Sequence, residues 1–224
     1  ILFDIESMSA DKENSKEAVL KTFLRMFNDK LGYDNMHPSI AEFERQCDED
    51  GMYEAFKAKY KEVSGNDWVD DRKKIKVRRK KFVETVTSLD IMAEEDANKT
   101  IDNVYSSYSI SVSDFAQIVN DYCLRKGPNH RVVFLADEMG QYVADNTSLL
   151  LNLQTISEDF STYCKGKAWI IVTSQQNIDD ITHVSGEDFS KIQARFNMRL
   201  SLSSSDVSEV IQKRVLDKTP AAKE

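Results

Sequence analysis

The chain is poor in the residues that build metal and disulfide sites. Of its 224 residues only three are cysteine and three are histidine. Cys47, Cys123 and Cys164 are odd in number, far apart and without a CxxC pair, which excludes a disulfide framework and a thiolate zinc site and suits reduced thiols. Such cysteines are expected to act as small buried or half-buried hydrophobes. His37, His130 and His183 are equally scattered and offer no HxxxH ligand spacing. No apolar run approaches the roughly 18 residues of a membrane-spanning helix, and no signal peptide is visible. There is no internal repeat and no low-complexity tract. A basic excess is missing too: the formal net charge of -8 argues against a protein that coats nucleic acid with its whole surface, and leaves a local basic contact open. A cytoplasmic protein with no membrane partner is expected.

What is present is an ordinary soluble balance, 41% hydrophobic and 30% charged, with a charge-rich surface. The length suits one large domain, or one domain with a long insertion. Because the chain begins at Ile1 and not at methionine, it is expected to be a piece of something longer.

Residues 1–5 read as a strand. Val19, Leu20, Phe23, Leu24, Phe27 and Leu31 fall on one helical face within 16–31, and Gly32 ends that helix. From 35 to 110 lysine and acids dominate and strand-like runs are missing. Helices are expected there at roughly 38–48, 52–63, 69–88 and 94–104, as an insertion between strands. A helix over 112–125 follows, then a turn at Gly127-Pro128-Asn129. Val132–Ala136 is a short apolar run of the kind buried in a parallel sheet. The next helix carries Leu149, Leu153, Ile156, Phe160 and Tyr163, and Gly166 closes it. Strand Ala168–Val172 comes next, then an alternating candidate strand over 196–202. A last helix opens at Ser205 or Asp206, with Val207, Val210, Ile211 and Val215 on its apolar face. Strands alternating with helices predict an α/β fold with a parallel sheet. The expected division is 1–34 as the start of the core, 35–110 as a helical insertion and 111–224 as the remainder of the core.

The chemistry is concentrated at 131–141. The apolar run ends in Asp137 and Glu138, and ligands of open α/β sheets sit outside the carboxyl ends of the strands. Two carboxylates there can hold Mg²⁺ and a nucleophilic water beside a nucleotide phosphate, a Walker B pattern; the bland alternative is a solvated loop or helix start. Strand 168–172 ends in Thr173-Ser174-Gln175. In a right-handed strand–helix–strand unit the two ends lie about 5 Å apart, so Asp137 should meet Ser174 or Gln175. Arg195, between Lys191 and Arg199, is placed to act as an arginine finger across a subunit interface or to pair with a nearby surface acid.

The stretch HRVVFLADEMGQYVADNTSLLLNLQTISEDFSTYCKGKAWIIVTSQQNIDDI (130–181) resembles the large P-loop ATPase subunit of bacterial BREX phage-exclusion systems and its phage-growth-limitation relative. ILFDIES at the start, IAEFERQCDEDGMYEAFKAKYKEVSG at 40–65 and KIQARFNMRLSLSSSDVSEVIQKRVLDK at 191–218 are similar to the same family, and 66–110 is the loosest part. The resemblance implies an AAA-like P-loop NTPase core, incomplete here, with a large helical insertion. It implies that Asp137 orders Mg²⁺ through water, that Glu138 polarises the attacking water, that Gln175 or Ser174 is the sensor and that Arg195 is the finger.

One departure is large: GxxxxGK[ST] occurs nowhere in the chain. Without that loop there are no backbone N–H groups to cradle phosphates and no lysine to bridge them. The loop is expected before Ile1, so Mg²⁺ and ATP are expected as ligands of the full-length parent and not of this fragment. In AAA-like sheets the strand that carries the loop lies between the sensor strand and the last strand, so strand 196–202 is expected to be poorly paired or shifted. The implied function is ATP hydrolysis that drives assembly or remodelling on DNA, alongside other phage-defence proteins and with possible self-association. The alternatives are a non-catalytic scaffold in a defence complex and a nuclease; for the nuclease, Val172 to Gln176 bring neither a further acid nor a lysine.

Residues 72–81 hold eight cations in ten positions: Arg72, Lys73, Lys74, Lys76, Arg78, Arg79, Lys80 and Lys81. Such a stripe can contact DNA or RNA phosphates, form a solvated helix face neutralised by Asp67, Asp70, Asp71 and Glu84, or meet an acidic protein partner. No aromatic interleaving of the kind that stacks RNA bases accompanies it.

Overall fold

A computed structural model describes residues 1–5, 17–105, 109–139, 142 and 147–174, with positions 196, 198, 200 and 211 in isolation. Three parallel strands form one sheet in the order β1-β2-β3: β1 is Leu2–Asp4, β2 is Val132–Asp137 and β3 is Ala168–Val172. Phe3 pairs with Ala136 across β1 and β2, and Phe134 with Ile170 across β2 and β3. The chain is therefore α/β, with a small parallel sheet and mostly helix around it.

Helix α1 spans Ala18–Leu31, and its face of Val19, Leu20, Phe23, Leu24 and Phe27 is buried. Gly32, at φ +83°, ends it in the left-handed region. There the N–H groups of Gly32 and Tyr33 return to the carbonyls of Asp29 and Asn28, at 3.0 and 2.9 Å, a Schellman closure. Five helices and two 3-10 turns follow. They are α2 Pro38–Glu49, α3 Tyr53–Ser64, α4 Trp68–Asp71 with a 3-10 turn Arg72–Lys74, α5 Arg79–Ser88, and α6 Glu94–Asp102 with a 3-10 turn Asn103–Tyr105, before α7 Val112–Lys126. Ser111 and Asp114 start α7 with a capping box. Helix α8 is Thr147–Asp159, and a π-helical turn, Phe160–Cys164, continues it.

Two cores result. Around the sheet, Phe3, Phe23, Phe27, Phe115, Phe134 and Phe160 interlock. Asn152 of α8 ties that layer together by accepting the Leu20 N–H at 3.0 Å. Inside the helical unit, Phe43, Phe56, Tyr60, Trp68 and Phe82 pack edge to face, with Phe56 and Trp68 centroids 5.0 Å apart. Among the described residues, the sheet is covered on one side. Phe3, Val132, Phe134 and Ala136 face the helices, while Leu2, Val133, Trp169 and Ile171 on the opposite face are exposed.

Two expected elements differ. The helix over 69–88 is broken into α4, a 3-10 turn, a bend at 75–78 and α5. An unbroken helix would stack like charges at three- and four-residue spacing, which repels; in the broken segment Arg72 and Ile75 are both buried. In the helix after β2, Tyr163 is exposed and Cys164 is buried in its place. Cys164 stands four residues after Phe160, on the same helical face, and the π turn closes the segment there. Strand 196–202 and the helix from 205 lie outside the described residues, except that Phe196 packs against the sheet core and Met198 and Leu200 are exposed. No described helix is long and apolar enough to cross a membrane. Cys47, Cys123 and Cys164 are all free and buried, and burial pushes the thiols of Cys47 and Cys164 up to about 11 and about 12.

Candidate functional site

The parallel register sets the site. Ala136 pairs with Val172, so the next residues, Asp137 and Thr173, emerge side by side at the carboxyl edge. The Thr173 N–H donates to the Ala136 carbonyl at 3.1 Å and carries the pairing one step past β3. The Thr173 hydroxyl donates to Asp137 Oδ1. The Glu138 N–H is shared between Asp137 Oδ1 at 3.2 Å and Thr173 Oγ1 at 3.1 Å. Asp137 is thus held by one carboxylate oxygen.

Glu138 leaves the strand at φ +57°. For a residue with a Cβ this left-handed conformation costs roughly 1–2 kcal/mol. The turn is held by Met139, which is buried in the sheet core, and by the Tyr142 N–H reaching the Glu138 carbonyl at 3.4 Å. Asp4 stands opposite Asp137 on the other side, in register from β1. Among the described residues, no group of three or more His, Cys, Asp or Glu side chains gathers to hold a metal ion. A lone carboxylate still suits Mg²⁺, which keeps several waters and takes its remaining ligands from substrate phosphates.

Of the expected site residues, Asp137 and Glu138 lie together at the end of β2. Ser174 is half-buried just past β3, and the side chain that reaches Asp137 from that strand is Thr173. The signal for Thr173 was the period of two: Trp169, Ile171 and Thr173 share a face with Val133, Leu135 and Asp137. Gln175 and Arg195 lie outside the described residues.

The basic run divides by role. Arg72 is buried and donates to Glu44 Oε1 at 2.7 Å and to the Gly32 carbonyl at 2.9 Å, so its guanidinium is withdrawn from any surface contact. Arg78 pairs with Asp71 at 3.2 Å and Lys81 with Glu84 at 3.4 Å. Arg79 donates to Asn98 Oδ1 at 2.9 Å and also binds Asp102. Lys73, Lys74, Lys76 and Lys80 are exposed.

Fold and site together define an α/β protein whose parallel sheet presents an acid pair and a threonine at its carboxyl edge. No family model matches the chain, and no solved structure matches it.

Proposed function

We propose that the chain is the Walker B and sensor portion of an AAA-like P-loop ATPase of the phage-exclusion type it resembles, one that hydrolyses ATP to drive assembly or remodelling on DNA in the cytoplasm with other defence proteins. The observation that carries the reading is the contact between neighbouring parallel strands, Asp137 to Thr173, at the sheet edge where nucleotide phosphates bind in such folds. The strand order agrees with it: among the described residues β3 pairs only with β2, which leaves its outer edge for the strand that carries a phosphate loop. The strained Glu138 agrees as well, since left-handed non-glycine residues cluster at functional sites.

In this reading Asp137 would help hold Mg²⁺. Glu138 takes the proton of the attacking water. Thr173 keeps Asp137 fixed, and Ser174, Gln175 and Arg195 are assigned to the γ-phosphate side. Bound Mg²⁺ would neutralise phosphate charge. The loop that cradles the phosphates is supplied from outside these 224 residues.

Two measurements test this. In the full-length gene product, Glu138→Gln should lower ATP turnover by about 10²–10⁴ while nucleotide still binds; unchanged turnover rejects the assignment. In calorimetric titration, the 224-residue chain alone should take up no Mg-ATP. Tight uptake would mean that the phosphates are held by something other than a glycine loop. The competing reading, a non-catalytic scaffold, rests on the missing GxxxxGK[ST] and predicts a full-length protein with no turnover to lose.

A further inference from the structure

We propose that the bend between α4 and α5 is a docking corner for the phosphate backbone of a nucleic acid, gripped by lysines without reading sequence. The inference rests on the helical unit alone and stands or falls independently of the role given to Asp137. The ten-residue run is divided by residue type. All three arginines are engaged within the fold, Arg72 with Glu44, Arg78 with Asp71 and Arg79 with Asp102. Four of the five lysines are exposed: Lys73, Lys74, Lys76 and Lys80.

The corner is built to hold those lysines close together. Ile75, buried at 1% exposure, pins the bend to the helical core, while Val77 stands out at 84%. The N–H groups of Val77 and Arg78 both return to the Lys74 carbonyl, at 2.9 and 3.1 Å. Lys73, Lys74 and Lys76 therefore leave one compact turn, and Lys80 leaves the first turn of α5 beside it.

Charge placement argues that this is more than a solvated face. The chain has 30 Lys and Arg against 38 Asp and Glu, yet eight of those cations fall in these ten residues. Arg79, Lys80 and Lys81 occupy the first turn of α5 and no acid does, where the helix dipole disfavours positive charge. An anionic partner removes both penalties. The chemistry favours phosphate over protein. Protein interfaces centre on exposed aromatics and arginines, whereas here Trp68 and Phe82 are buried and the arginines are taken. What remains are the ammonium groups of Lys73, Lys74 and Lys80 around a single small apolar side chain, with Lys76 beside them acting on Asp102. Such groups contact phosphates and carry no base readout.

The test is fluorescence anisotropy of the 224-residue chain with labelled mixed-sequence duplex DNA, the same sequence as duplex RNA, and poly-glutamate, over a range of salt. Binding to nucleic acid is expected, with log K falling against log salt at a slope of about -3 to -4 for three or four phosphate contacts. The triple variant K73Q/K74Q/K80Q should weaken binding at least about tenfold and flatten the slope by about 3, with an unchanged unfolding midpoint. The variant K57Q/K59Q/K61Q, an equal charge change on α3, should bind as the parent does. Comparing the DNA and RNA arms shows which phosphate source the corner takes. No binding to either nucleic acid overturns the proposal. Equal losses in the two variants, or binding to poly-glutamate alone, also overturn it, the last in favour of an acidic protein partner.

Discussion

At the scale of single residues, the helical unit turns on Glu44. Its carboxylate is fully buried and accepts from the Asp34 N–H, the Tyr53 hydroxyl, the Trp68 indole N–H and Arg72. Burial pushes the carboxyl above its ordinary range, and the Arg72 charge is the largest influence holding it down. A carboxyl whose folded pKa lies above its unfolded value contributes stability that is present at low pH and lost as pH rises through the folded pKa. Arg72→Met removes the main counterweight and drives that pKa further up. The variant should lose about 3–5 kcal/mol at neutral pH, the cost of an uncompensated buried charge, and the loss should narrow in mildly acidic buffer as Glu44 takes up a proton. Urea unfolding of both proteins at the two pH values checks this; an equal loss at both would show that Glu44 is not the group left stranded. Nothing in the ten-residue basic run told Arg72 from its neighbours. Its partner is 28 residues away, and local pattern does not report contacts at that range.

At the scale of elements, periodicity carried most of the information. The apolar face of α1, the span of α7 and the two long strands stand close to where spacing and punctuation put them. It failed in two places. The break of the 69–88 helix follows from charge crowding and the inward pull on Arg72. At the end of α8 the choice between two positions on the same helical face went to the larger side chain, Tyr163, three residues after Phe160, whereas Cys164, four residues after it, is the buried one. That exchange makes a specific prediction. Tyr163→Lys should change stability by less than about 1 kcal/mol, since it alters an exposed position. Cys164→Lys should cost several kcal/mol, because it places an unpaired ammonium inside the sheet core. Urea denaturation of the two variants decides it: a larger loss for Tyr163→Lys than for Cys164→Lys would mean that Tyr163 and not Cys164 faces the core. At the candidate site, the acid pair was legible from the abrupt end of an apolar run. Thr173 as the residue touching Asp137 required the strand register, which fixes which side chain of a three-residue polar end points the same way as its neighbour.

At the scale of the whole molecule, the described residues cover the sheet on one face. Parallel sheets are normally buried on both sides, yet Leu2, Trp169 and Ile171 are 69%, 57% and 46% exposed. The two tryptophans report on the two situations. Trp68, at 1% exposure, sits in the aromatic core of the helical unit, and Trp169 lies on the open face of β3. Acrylamide should quench one component of the fluorescence strongly, and Trp169→Phe should abolish that component. The energetics should follow the same division. Trp68→Ala should cost about 3–5 kcal/mol, as for any large core aromatic, whereas Trp169→Lys should cost about 1 kcal/mol, because it gives up only the covered part of the ring and the indole N–H bond to the Gly166 carbonyl. Trp169 would behave differently if another part of the protein or a second copy of the chain covered this face in solution. Quenching would then be weak and Trp169→Lys costly, and a dependence of both on protein concentration would separate self-association from intramolecular cover.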